Sequence, residues 1–281
     1  MSYPLVIAGA CMGDVINSRT YGAMAAVGAA VDVVAAPAGM GGGYAYECNL
    51  ITNGNDGHFR ASPYDPTSLT IGGEGSVIRQ WAFGRFLVKD NLPTSDAIIA
   101  YFPRETADSL TNAYILRQKT DGTLELWYNG ATLWATGSTV FAYDAAVDWK
   151  ILFDHSGLNF WAKVYVNGSS TPEIDTSGDT KQPGAYIFRM YVGEDLDAGV
   201  NRGAKFYHKN ISFFEQDADP GWPKIAALTV DGQGTYTDFT GDYTAVDEVP
   251  PDGITSAIST NTTSKKESVT LISLRTRAAL I

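Results

Sequence analysis

The chain has 281 residues, 44% apolar and 18% charged, a balance that supports a large buried core and excludes an intrinsically disordered polypeptide. Its 31 acidic and 20 basic residues leave a net charge of −11, which excludes broad binding to nucleic acid, because neutralising phosphates needs clustered Lys and Arg. Fifteen Tyr, 12 Phe and 6 Trp, set among 29 Gly and 12 Pro, point to short strands joined by tight turns and so to an all-β fold.

In chain order, the first strand-like stretch is "YPLVIAGA"; it lacks the basic and apolar regions of a secretory leader, so no signal peptide is expected. "GAMAAVGAAVDVVAAPAG" at 22 to 39 is mostly Ala and Gly, carries Asp32 and is broken by Pro37, which argues against a membrane span and leaves its secondary structure open. Residues 1–40 are accordingly either an arm or an added strand. "GYAYECNLI" at 43 to 51 reads as a strand, and 52 to 76 as a turn-rich loop. Then come "IRQWAFGRFLVKD", "SDAIIAYFPR", "NAYILRQKTDG", "TLELWYNG", "ATLWATG", "DWKILFDHSG", "NFWAKVYVNG", "GAYIFRMYVG" and "AKFYHKNISFFEQ", each of strand length and most bounded by Asp-Gly, Asn-Gly or other glycine turns.

In "NFWAKVYVNG", Phe160, Ala162, Val164 and Val166 alternate with Trp161, Lys163, Tyr165 and Asn167, the period of a strand with one face in a core and a second, aromatic face. Strands this numerous, with apolar residues on both faces, are most simply two antiparallel sheets packed face to face. Trp149, Ile151, Phe153, Val164 and Val166 are expected between them, as are three of Trp81, Trp127, Trp134 and Trp161. Tyr165 and Trp161 are expected to cover a sheet surface against a loop or a neighbour. Cys11 and Cys48 are too few for a disulfide scaffold and read as two small buried side chains.

Around residue 216 the wording changes: "EQDADPGWPKIAALTVDGQGTYTDFTGDYTAVDEVPPDGITSAISTNTTSKK" is rich in Asp, Gly, Pro and Thr, which marks a domain edge and an extended arm. The final "ESVTLISLRTRAALI" is apolar again, too short to bury its own face and so expected to pack on something else. The expected organisation is a sandwich over 1–215 and a linker with a docking arm over 216–281. Val269, Leu271, Ile272, Leu274, Leu280 and Ile281 are the side chains expected to dock.

"DWKILFDHSGLNFWAKVYVNG", followed by "GAYIFRMYVGEDLDAGVNRGAKFYHKNISFFEQ", resembles the end of a concanavalin A-like or laminin-G-like jelly roll. The segment "GWPKIAALTVDGQGTYTDFTGDYTAVDEVPPDG", with its Val246 to Asp252 stretch, is similar to a linker that follows this jelly roll in tailed-bacteriophage virion proteins. The resemblance runs from about residue 40 to 255. It implies a two-layer antiparallel jelly-roll sandwich in a structural virion protein, with other virion proteins and copies of itself as partners and the virion, assembled in the host cytoplasm, as its location.

Glucanases on this fold carry Glu-x-Asp-x-x-Glu on one strand, and "PEIDTSG" places Glu173 and Asp175 in the first two positions but Gly178 in the third. A retaining glycosidase needs a second carboxyl about 5 Å from its nucleophile, so no enzyme is expected, and Glu173→Gln is expected to change nothing. His58, His155 and His208 have no metal-ligand spacing, and no Gly-x-Ser-x-Gly elbow is present. "GEDLDAGVN" offers Glu194, Asp195, Asp197 and Asn201 as oxygen ligands for calcium, the one cofactor considered, although its spacing is not that of an EF-hand and a solvated loop is the plainer reading. Three functions compete: a virion structural subunit (capsid decoration, minor capsid or tail component), which the apolar terminus and polar arm favour; a carbohydrate-binding, receptor-binding module of a tail fibre, with a host-surface glycan as partner; and a glycan-cleaving enzyme. Deleting residues 254–281 is expected to spare the sandwich and abolish assembly.

Overall fold

In a computed structural model of the chain, the described residues are 4–8, 23–28, 31–41, 44–51, 57–62, 79–103, 113–155, 160–179, 187, 190–194, 202–215, 217–222, 230–237 and 267–271. They form strands throughout: β1 (Pro4–Ala8), β2 (Ala23–Gly28), β3 (Val31–Ala35), β4 (Tyr44–Leu50), β5 (Gly57–Ser62), β6 (Arg79–Lys89), β7 (Ala97–Pro103), β8 (Ala113–Gln118), β9 (Leu124–Tyr128), β10 (Thr132–Thr136), β11 (Val147–Asp154), β12 (Trp161–Val166), β13 (Ile174–Asp175), β14 (Met190–Glu194), β15 (Ala204–Glu215), β16 (Val230–Thr237) and β17 (Glu267–Leu271). No helix among the described residues is long and apolar enough to cross a membrane.

The strands make two large antiparallel sheets, as expected. The first has the order β13-β12-β11-β6-β15-β4-β3, with β1 also pairing β15; the second has the order β10-β9-β8-β7-β14-β5-β2. The chain divides into two compact units, Met1–Pro223 with both large sheets and Lys224–Ile281 with the pair β16-β17. Residues 217–222 thus belong to the first unit.

Alternation decides what lies between the sheets. On β11, Trp149, Ile151 and Phe153 point into a core shared with Ala162, Val164 and Val166 of β12, Phe102 of β7 and Tyr114, Leu116 and Leu126 of the second sheet. Edge-to-face contacts of Phe102 with Trp149 and Phe153, and the stacking of Tyr114 on Phe160 at 4.5 Å, join the sheets across this layer. All five core side chains expected from the sequence are buried there. Trp149 fits because Gly84 stands opposite it in the β11–β6 register, leaving room for the indole where any side chain would stand.

One expectation is corrected and one open question is answered. The segment 52 to 76 is not all loop, since Gly57–Ser62 is a strand paired on one side with β2 and on the other with β14; Phe59 turns into the core and supplies the apolar anchor that a run of mixed polarity conceals. The Ala-rich segment, left open from sequence, supplies β2 to the second sheet and β3 to the first. Its alternation was hard to see because Ala and Gly mark neither face. Asn129 and Gly130 both take positive φ between β9 and β10, the backbone for which Asn-Gly is suited.

Candidate functional site

A strand in a sandwich has a second face, and here both outward faces are aromatic. On the first sheet, Trp81, Phe83 and Leu152 are only 3%, 2% and 5% exposed, and Trp161, Tyr165 and Phe214 pack against them. The register makes this a continuous surface: Leu152 and Phe214 both stand opposite Trp81, and Lys150 stands opposite Phe83 on one side and Tyr165 on the other. Lys150 has a side chain only 4% exposed, although its place in β11 is outward. Its ammonium donates to Asp219 Oδ2 at 2.8 Å and lies over the rings of Tyr165 at 4.7 Å and of Trp81 and Trp222 at 5.3 Å. A buried lysine needs both a counter-charge and favourable ring faces to offset desolvation, and this one has both. The same burial pushes the Tyr165 phenol above its ordinary pKa. Arg79 ties this face to the segment beyond β15, donating from Nε to buried Asp154 at 2.6 Å and from a terminal nitrogen to the Asp217 carbonyl at 3.0 Å.

On the second sheet, Ile98, Tyr101, Ala113, Ile115 and Tyr191 form the outward cluster, with Trp127 packed at its margin. Tyr101 and Tyr191 stack at 4.4 Å, and His58 meets both rings edge-on at 5.6 and 5.1 Å. Half-buried Trp127 donates its indole N–H to Glu125 Oε2 at 2.8 Å and carries the Arg117 guanidinium 4.3 Å over its ring. Tyr101 and Tyr191 are themselves fully buried, so the half-buried Trp127 and Arg117 are the members of this cluster that reach its surface.

Of the four tryptophans, only Trp134 packs between the sheets. The sequence pattern predicts three there. Trp81, Trp127 and Trp161 are outward because each falls one residue out of phase with the core positions of its strand, and Trp149 fills the layer instead. Trp161 and Tyr165 cover the first sheet's outer surface, against Lys150 and the loop that holds it. The histidines lie apart: His58 outward on the second sheet, His155 against Phe160 at 4.7 Å, and His208 wholly buried between the sheets. No group of three His, Cys, Asp or Glu that could hold a metal occurs among the described residues. Of the calcium candidates, Glu194 ends β14, while Asp195, Asp197 and Asn201 lie outside the described residues. Cys48 is buried.

Glu173 does more than the sequence reading allowed. Its Oε1 accepts from the backbone N–H groups of Ser138 and Thr139 at 2.6 and 2.7 Å, and its Oε2 from the Thr139 hydroxyl at 2.6 Å. The carboxylate fastens the loop after β10, which argues against the expectation that its loss changes nothing. Glu173→Ala is expected to destabilise the protein by about 1–3 kcal/mol, with Gln intermediate, since three donors lose a charged acceptor but can reach water. Urea unfolding of the two variants measures this. Asp175 is pushed up by burial, but the hydrogen bonds from Ser177 and the Lys163 ammonium at 3.0 Å outweigh that and hold it below the ordinary carboxylate range. Gly178 has nothing within 4 Å of where a Cβ would be. Of the docking residues, Val269 and Leu271 lie in β17, opposite Gln233 and Val230 of β16, and Ile272, Leu274, Leu280 and Ile281 lie outside the described residues.

No protein-family model matches the chain, and no curated protein does. Among solved structures it is similar to the Trypanosoma rangeli sialidase in complex with sialic acid, at 11% identity over 76% of this chain and 31% of that one, with a TM-score of 0.47. It is also similar to the marine PL-14 alginate lyase from Aplysia kurodai, at 11% identity over 76% and 100% of the two chains and a TM-score of 0.48. A third is domain 4 of AbnA, a GH43 extracellular arabinanase from Geobacillus stearothermophilus, in complex with arabinotriose, at 13% identity over 76% and 93% and a TM-score of 0.46. The chain spans about a third of the sialidase's length. These neighbours include enzymes, but likenesses at this level carry nothing about function, and the sandwich rests on the chain's own sheets.

Proposed function

We propose that the protein is a structural subunit of a tailed-bacteriophage virion, in which the sandwich is a rigid module and the C-terminal unit docks on neighbouring subunits, either other virion proteins or copies of this chain. The observation that carries this reading is the contrast between the two units. The sandwich has a large aromatic core of its own, whereas among the described residues of the C-terminal unit β16 and β17 pair only with each other. A two-stranded sheet is marginal in water and keeps two edges open, so it gains order by pairing with another chain. The "VDEVPPD" stretch between these strands supports the virion assignment through its resemblance alone. A non-catalytic sandwich is supported by Glu173, whose carboxylate is engaged by the loop after β10, and by the glycine at position 178.

Because β17 pairs with β16, the informative truncation ends at Pro223 rather than within the C-terminal unit. The shortened protein is expected to remain folded, with its thermal transition nearly unchanged, and to be lost from assembled particles. Incorporation at normal occupancy would overturn the docking role. In that case the second reading, a carbohydrate-binding module for a host-surface glycan, takes precedence, and the observation favouring it is the half-buried Trp127 ring with the Arg117 guanidinium over it at the margin of the second sheet's outward face.

A further inference from the structure

The outward face of the first sheet poses a problem that the sheet does not solve by itself. Lys163 on the same face pairs within the sheet, reaching Asp175 of the adjacent strand at 3.0 Å. Lys150 finds only rings among its sheet neighbours, and its described carboxylate partner, Asp219, comes from the segment 217–222 beyond β15. That segment is shaped for the task. Asp219 Oδ1 accepts from the Gly221 N–H at 2.8 Å while Oδ2 takes the lysine, so one carboxylate both closes a turn and binds the sheet. Gly221 sits at φ +76° with nothing within 4 Å of a Cβ position, so glycine is favoured there by the backbone and not by crowding. The turn brings Trp222 back over the same ammonium, and at the other end Arg79 holds the Asp217 carbonyl.

We propose that residues 217–222 form a latch at the C-terminal edge of the sandwich unit, with Lys150 as its catch, closing the aromatic surface around Trp81 and Tyr165 that would otherwise face water. The ammonium is the shared partner of an acidic and an aromatic residue of the latch, so both are released together when it is removed. Asp219 is half exposed, and its side of the pair can open without disturbing the sheet. Opening leaves a buried charge without a counter-ion and uncovers rings, which makes the closed state the resting one. This rests on the fold alone and is independent of the virion reading.

Hydrogen exchange followed by mass spectrometry, together with binding of the apolar dye bis-ANS, tests it on the full chain. In Asp219→Asn and Lys150→Met, amides of the peptide covering 217–222 are expected to exchange at least tenfold faster than in the parent, while those of β6, β11 and β12 keep their parent rates. Asp219→Asn is expected to bind the dye where the parent does not, and Lys150→Arg, which keeps the charge, to stay close to parent exchange. Parent-like exchange of the segment in Asp219→Asn overturns the proposal; so does faster exchange spread equally over β6, β11 and β12, which would mean that the ion pair supports the sheet and not a latch. Should Lys150→Met fail to fold, the half-exposed Asp219→Asn still decides.

Discussion

Gly84→Ala is expected to lower the melting temperature of the sandwich by several degrees, although it adds one methyl group to a strand. A Cβ at this position would lie 2.5 Å from one carbon of the Trp149 ring and 2.7 Å from another. Trp149 has no room to retreat: it is fully buried and packed edge-on against Phe102. Overfilling a packed core costs roughly 1–3 kcal/mol. In a unit of this size each kcal/mol moves the transition by about 2–4 °C, so a drop on the order of 2–12 °C follows. Gly178→Ala is the matched control, because its new methyl group meets nothing within 4 Å. Scanning calorimetry that gave the two variants the same transition would show that the indole can move and that the packing argument is wrong.

The second large effect is acid sensitivity centred on His208. This residue lies between the sheets, opposite Tyr46 and Phe86 in the register, and neither ring nitrogen has a hydrogen-bond partner among the described residues. Burial lowers its pKa to about 3. An unfolded histidine titrates near ~6.5, so between these values the unfolded chain binds a proton that the folded chain refuses. Stability is therefore complete above about pH 6.5 and falls as the pH drops, by about 1.4 kcal/mol per unit, or roughly 2 kcal/mol by pH 5. His208→Phe, which suits the apolar site, is expected to remove that share of the pH dependence and to be at least as stable as the parent at pH 7. Urea midpoints of parent and variant at pH 7 and pH 5 make the comparison. Equal losses in both proteins on acidification would place the sensitivity elsewhere.

How far the fold could be read in the sequence depended on contrast between neighbouring residues. In β11 and β12 the inward residues are Trp, Ile, Phe and Val while the outward ones include Lys150 and Lys163, so the two faces separate and the core prediction succeeds. In β6, "RQWAFGRFLVK", both faces carry aromatic rings, and alternation shows that there are two faces without showing which is inside. The informative residue is Gly84, and its meaning appears only once Trp149, 65 residues later, is placed opposite it (149 − 84). The same kind of distance hid the chemistry of the outer face. Lys150 reads as a solvated charge until Asp219 and Trp222 are brought over it, and Glu173 as a spare carboxylate until the loop at 138–139 reaches it. Local pattern reports strands. Which polar groups are enclosed is set by pairings across the sheets and between loops, and no window of the sequence contains both partners.

The pairing of β15 has a mechanical consequence. Its first half lies beside β4, and its second half beside β1, with Pro4 opposite Phe214 and Ala8 opposite Ile211. The earliest described residues and the last strand of the sandwich therefore run antiparallel side by side at one margin of the sheet. A pulling force applied to residue 4 and to the end of β15 would act at the same end of that ladder, perpendicular to the strands. It would peel β1 away one hydrogen-bonded pair after another, as a zip opens, without loading the β6–β11–β12 ladders in shear. The sandwich is thus built to yield first at this margin and at low force, with its aromatic core left intact.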